Sequence, residues 1–261
     1  MRENLEQFTD KKRQYFVKLG LHMREALRLH KTAGLWERKE GKRDWGNVSE
    51  HCLVEVARVS ILAEKLNLPE EIVKDLKLAA ALHDFFKKGE TEIVISGGLS
   101  WDSFEKASEE STRQMREAGF NERIIRLANS VGHGSLVETE RILKLESLSL
   151  ENIAYLIQHY VDDYTIGSDW AGLAENIGDK QINDIDRRVD KNEANQRCAK
   201  LNEEGRTKLS GETAFEAQRR IGHLVEDKLA SLLDKNARQV VNPRELPQII
   251  DTEIQSKIAS L

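Results

Sequence analysis

Proline is scarce, three in 261 residues, so most of the chain is free to run as helix. Cysteine is scarcer. Cys52 and Cys198 stand far apart, which excludes a disulfide framework and a zinc–thiolate site and makes a reducing compartment the default. No stretch approaches the roughly 18 consecutive apolar residues that a membrane span needs. The first residues, Met1 to Gln7, are charged and lack an apolar h-region, so a cytoplasmic protein is expected. There is no excess of basic residues either. A net charge of −5 and a pI near 5.9 leave no footprint for a nucleic-acid polymer or an anionic membrane. Internal repeats, low-complexity tracts and a glycine-rich phosphate loop are all missing.

What remains is a mixture of 39% hydrophobic and 33% charged residues, the balance of helices with one buried and one solvated face. The expected class is all-α. Residues 3–31 read as one helix, with Phe8, Tyr15, Phe16, Leu19, Met23, Leu27 and Leu29 at helical spacing. A polar, basic loop follows over 37–43, and Ser49 is placed to cap a helix that runs to about Leu66. Asn67-Leu68-Pro69 breaks the chain, and acids at 70 and 71 open the next helix. Residues 89–98 read as a loop with a few extended residues. Further helices are expected over about 101–118, 121–131, 136–145, 149–166, 181–203, 212–235 and 246–259. Gly132 and Gly134 flank His133 at a tight turn.

One stretch stands out. Leu76 to Phe86 is almost unbroken apolar sequence, with His83-Asp84 set into it. An ionisable pair in such surroundings is costly unless its charge is compensated, and a divalent ion does this where imidazole and carboxylate occur together. Adjacent helical residues point about 100° apart, so further ligands must come from other helices. His51 lies in the first turn of its helix, and Asp162-Asp163 interrupts an apolar helix face.

The order His51, His83-Asp84, Asp162 over three helices resembles the HD-domain superfamily of metal-dependent phosphohydrolases. Ser49-Glu50-His51, the alanine-rich run before His83 and the spacing that places Lys87 follow the family pattern. The likeness covers about 45–166. It divides the chain into an N-terminal helix and basic loop packed on the core (1–44), an HD-type metal-binding helical core (45–178) and a helical C-terminal extension (179–261). Asp162 has Ile157, Tyr160, Val161 and Tyr164 where the family has apolar neighbours. From Asp163 the same offsets fall on Gln158, Val161, Asp162 and Thr165. A bare helical wheel sets Asp163 nearer the apolar face, so both stay open.

The resemblance implies that His51, His83, Asp84 and Asp162 hold one divalent ion, with Mn, Fe, Co, Ni and Zn all suited to two imidazoles and two carboxylates. It also implies hydrolysis of a phosphate ester of a small metabolite, nucleotides among the candidates, by water activated on the metal. Asp84, Lys87 and His133 would serve catalysis, Lys87 and His133 also meeting the substrate phosphate. Arg43 and Trp45 precede the first histidine, where the family's nucleotidase branch carries adjacent Arg-Trp; here Asp44 separates them. Glu50 orients a ligand or simply opens a helix. His159 either supports a ligand or lies on the surface, and His22, His30 and His223 receive no site role. Two further readings are a di-iron oxygenase acting on an organophosphonate and a non-catalytic nucleotide-binding module. A homo-oligomer stays open.

Overall fold

A computed structural model describes residues 2–36, 45–167, 184–195, 199–237 and 241–261. The described residues form an all-α structure without strands. In chain order the helices are α1 (Arg2–His22), α2 (Arg24–Thr32), α3 (Gly46–Lys65), α4 (Glu70–Leu82), α5 (Lys87–Gly97), α6 (Trp101–Glu117) and α7 (Glu122–Ala128). A single 3-10 turn, His133–Ser135, leads into α8 (Leu136–Leu143) and α9 (Leu150–Tyr164). Then come α10 (Ile185–Asn195), α11 (Ala199–Lys208), α12 (Ala214–Ala237), a second 3-10 turn (Pro243–Glu245) and α13 (Leu246–Ala259).

The centre is the α3–α4 hairpin, and its corner follows from local chemistry. Asn67 adopts φ 54, the Leu68 amide bonds back to the Ala63 carbonyl, and the Asn67 amide bonds to Glu64. That is a Schellman ending with asparagine in the left-handed position, and Pro69 then prevents continuation. Gly34, at φ 74, ends α2 in the same way, its neighbour Leu35 bonding to the His30 carbonyl. Ala79, Ala80 and Ala81 are fully buried, and their small side chains let α4 sit among α2, α3, α7 and α9. Ser149 caps α9 by accepting the Asn152 amide.

Four local expectations change. Residues 89–98, read as a loop, lie mostly in α5. Gly89 is there for space rather than for a turn, because a Cβ would come within 2.3 Å of the Phe86 ring. The single helix expected over 3–31 is divided at Met23, which adopts φ −99 and ψ 18. Ser49 is no cap: α3 begins at Gly46, and Ser49 is buried within it. The helical stretch expected to end near 203 continues, as α11, to Lys208.

One apolar cluster runs from Met23 through Leu62, Leu82 and Tyr160 to Ile258, so helices of the last third share the core with α3, α4 and α9. A fully buried arginine ties the ends together. Arg58 on α3 forms a two-pronged pair with Asp251 on α13, both bonds at 3.0 Å, and donates to the Thr165 hydroxyl at 2.7 Å. Its guanidinium lies 4.7 Å from the centre of the Tyr164 ring. Among the described residues no helix is long and apolar enough to cross a membrane.

Removing one partner of a buried ion pair strands the other, at a cost of about 3–5 kcal/mol. Asp251→Ala is therefore expected to lose about that much stability in urea unfolding, whereas the double change Arg58→Met, Asp251→Leu recovers most of it. A loss under about 1 kcal/mol in the single variant would show that the Arg58 charge finds water instead.

Candidate metal centre

His51, Glu55 and Arg58 occupy one face of α3 at successive turns, and all three are buried. His83 caps the C-terminal end of α4, where the chain leaves the helix and can turn its ring toward α3. Asp162 comes from the last turn of α9. One donor atom from each of His51, Glu55, His83 and Asp162 lies within 4.8 Å of all the others.

The tautomers follow from the backbone. His51 Nδ1 is 2.8 Å from the Gly167 carbonyl and His83 Nδ1 is 2.8 Å from the Ala80 carbonyl. A carbonyl can only accept, so each Nδ1 carries hydrogen. Both Nε2 atoms then face inward, and both are buried without a hydrogen-bond partner, as is Glu55 Oε1. His51 Nε2 lies 2.9 Å from Glu55 Oε1, and Asp162 Oδ1 lies 3.6 Å from His51 Nε2 and 3.8 Å from His83 Nε2. An imidazole lone pair and a carboxylate oxygen at such distances repel unless positive charge sits between them, either protons or a metal ion. Two donors on one metal of the zinc type stand at most about 4.2 Å apart, so a small side-chain adjustment closes the group on an ion.

The electrostatics describe the same demand. Burial disfavours charged His51, but Glu55 and Asp162 outweigh it and lift its pKa to about 10. His83 is raised well above its ordinary value for the same reason, burial opposing and Glu55 prevailing. Burial pushes the Asp162 carboxyl up, yet His51, Arg188 and His83 hold it well below the usual carboxylate range. Glu55 Oε2 also accepts the Gln158 amide at 3.0 Å, and Gln158 comes from the same helix as Asp162.

Asp84, expected as a ligand, stands beside the four-residue group, with Oδ2 3.9 Å from His83 Nε2 and Oδ1 3.4 Å from Lys87 Nζ. Its pKa falls to about 2 because Lys87, His83 and His51 overcome the effect of burial. Lys87 begins α5 and also pairs with Glu90 at 3.0 Å. His133 is buried between the rings of Phe104 and Phe215, its Nε2 without a partner. Burial and the Lys87 charge lower its pKa to about 4, so the ring is neutral at physiological pH. Trp45 sits just before α3 and packs beside Leu35, Val48 and Cys52. Arg43 lies outside the described residues. Glu50 and His22 are exposed, and His223 bridges Asp186 and Glu226.

Asp162 and Asp163 separate cleanly. Asp163 faces α12, accepting the Gln218 amide at 2.8 Å, with His159 Nε2 3.2 Å from its other oxygen. His159 is fully buried, not a surface residue, and its Nδ1 bonds the Ser130 carbonyl at 2.8 Å, fastening the segment that leads to His133. Gly132, at φ 66, turns that segment.

Two site residues escaped the sequence reading. Glu55 had a signal, an acid one helical turn after His51. Arg188, whose Nη2 is 3.7 Å from Asp162 Oδ1, had none, for it arrives by packing of α10 on α9. His30, given no role, is fully buried and locks the end of α4. Its Nε2 donates to the Ala81 carbonyl at 2.6 Å and its Nδ1 accepts from Ser49, which in turn accepts the Trp36 indole N–H. Burial lowers the His30 pKa to about 4, which suits this neutral arrangement.

Because His51 stays protonated up to about pH 10 without a metal, an incoming ion must displace that proton. Affinity for Mn²⁺ or Zn²⁺ should therefore rise steadily as pH increases from about 6 to about 9, with proton release visible by calorimetry in buffers of different ionisation enthalpy. Affinity independent of pH over that range would contradict the assigned ligand set.

Comparisons of this chain with family models, with curated proteins and with solved structures gave no match.

Proposed function

We propose that this chain is a metal-dependent phosphohydrolase of the HD type that cleaves a phosphate ester of a small metabolite, nucleotides included. The observation that carries this reading is the pair of inward Nε2 atoms on His51 and His83, each fixed through Nδ1 to a backbone carbonyl and left unpartnered against Glu55 and Asp162. Holding two lone pairs and two carboxylates together in a buried site has a reason if a divalent ion completes it. When bound, such an ion supplies an acidified water and positive charge at the phosphoryl group.

The remaining roles belong to the chain. His51, Glu55, His83 and Asp162 hold the ion, and Gln158 orients Glu55. Asp84 keeps Lys87 at the rim, where the ammonium can meet a phosphoryl oxygen. His133 presents an uncharged imidazole walled by Phe104 and Phe215, suited to a hydrogen bond with the ester but not to a permanent ion pair. Water attacks phosphorus, the bond to the ester oxygen breaks, and that oxygen leaves with a proton.

The test is chelation. Protein treated with EDTA should not hydrolyse p-nitrophenyl phosphate until Mn²⁺, Co²⁺ or a similar ion is restored, and Glu55→Gln should bind that ion at least ~10-fold more weakly. Hydrolysis that persists after complete chelation rejects the mechanism, and wild-type metal affinity in Glu55→Gln rejects the assignment of Glu55.

A further inference from the structure

The C-terminal third brings a cation to the centre that the metal does not need. Arg188 sits on α10, whose Ile185 and Val189 are fully buried in the core. Its neighbour Asp186 is held by Arg219 at 2.7 Å and by His223 at 3.2 Å, so the helix is pinned on its outer face as well. The guanidinium is aimed at Asp162, but Nη2 stops 3.7 Å from Oδ1, beyond a hydrogen bond. Its Nε is buried and has no hydrogen-bond partner. A buried guanidinium N–H left unspent in this way is costly unless another acceptor enters.

The surroundings name that acceptor. Lys87, on α5, pairs with Asp84 as Arg188 pairs with Asp162, and its side chain is 35% exposed, against 21% for Arg188, so both can be approached from solvent. His133 Nε2 is likewise buried without a partner, and its ring feels the charges of Lys87, Asp162 and Arg188. A divalent ion together with Lys87 and Arg188 carries four positive charges against the four carboxylates Glu55, Asp84, Glu90 and Asp162. An arginine fork matches two oxygens of one phosphoryl group, and a doubly charged phosphomonoester gains more from two cations than a diester does.

We infer that Arg188 is a substrate-binding residue, gripping the phosphoryl oxygens of a phosphomonoester dianion opposite Lys87. This rests on the phosphohydrolase reading for the substrate, though the anion site itself can be tested without turnover. The probe is inorganic phosphate, titrated into Mn²⁺-loaded full-length protein by calorimetry, with bound metal counted in parallel. Arg188→Gln should keep one ion per chain and bind phosphate at least ~10-fold more weakly, while Arg188→Lys, which keeps the charge but loses the fork, falls between. Where an ester is turned over, Arg188→Gln should raise KM more than it lowers kcat. Wild-type phosphate affinity in Arg188→Gln would overturn the inference. So would loss of metal with unchanged phosphate affinity in the chains still loaded, which would make Arg188 a prop for Asp162. Should no ester be hydrolysed while phosphate affinity still depends on Arg188, the anion site stands and the phosphohydrolase reading falls.

Discussion

Glu55 is a fully buried carboxylate on α3, one turn from His51 and one turn from Arg58, and a carboxylate in that position requires polar or cationic partners in contact. The local structure answers that demand. Two imidazoles come within 2.9 Å and 3.4 Å of its two oxygens, and an amide from α9 takes a remaining lone pair. Bringing His83 there requires α4 to end where it does, and bringing Gln158 and Asp162 there requires α9 to lie against α3. The helix arrangement around the centre is thus partly dictated by one charge with nowhere else to go.

A second constraint is that four of the buried histidines in and around the centre each use one ring nitrogen to hold backbone. His51 takes Gly167, His83 takes Ala80, His30 takes Ala81 and His159 takes Ser130. The consequences differ. For His51 and His83 the anchored nitrogen determines which nitrogen faces the carboxylates, as ligating histidines require. For His30 and His159 the anchored backbone is the point: one fixes the helix end that carries His83, the other the turn that carries His133. Residue type alone could not distinguish these uses.

How much was legible in the sequence follows from range. The end of α3 and the start of α4 were readable because Asn67 and Pro69 act within a few residues of their effect. Three of the four clustered residues, His51, His83 and Asp162, were readable from the order His, His-Asp, Asp over three helices and its resemblance to the HD-domain superfamily; His83 and Asp162 also interrupt apolar runs. Glu55 interrupts one too, but in a chain this rich in charge an acid on α3 passes for solvated surface. The α5 helix was missed because Gly89 has two opposite meanings, and only the position of the Phe86 ring shows that it marks a close approach. His30 depends on partners 19 and 51 residues away, and Arg58 on one 193 residues away, distances at which no local pattern speaks.

Those long-range partners decide how the last third of the chain relates to the centre. Arg58 follows Glu55 by one turn, so the bond to Asp251 on α13 steadies the same face of α3 that carries the candidate ligands. On the other side Tyr160 donates to Glu226, and Asp163 accepts from Gln218, so α12 holds α9 on both flanks of Asp162. Gly222 permits this closeness, since a Cβ there would press on Ile185 at 3.1 Å and on Asp163 at 3.3 Å. A candidate centre whose ligands must stay within a few tenths of an ångström of their positions needs helices that cannot drift. The polar bonds from α12 and α13 are too buried to be solubility devices. Their physical effect is to clamp α3 and α9 against each other, which makes the last third part of the frame that holds the four donor atoms together.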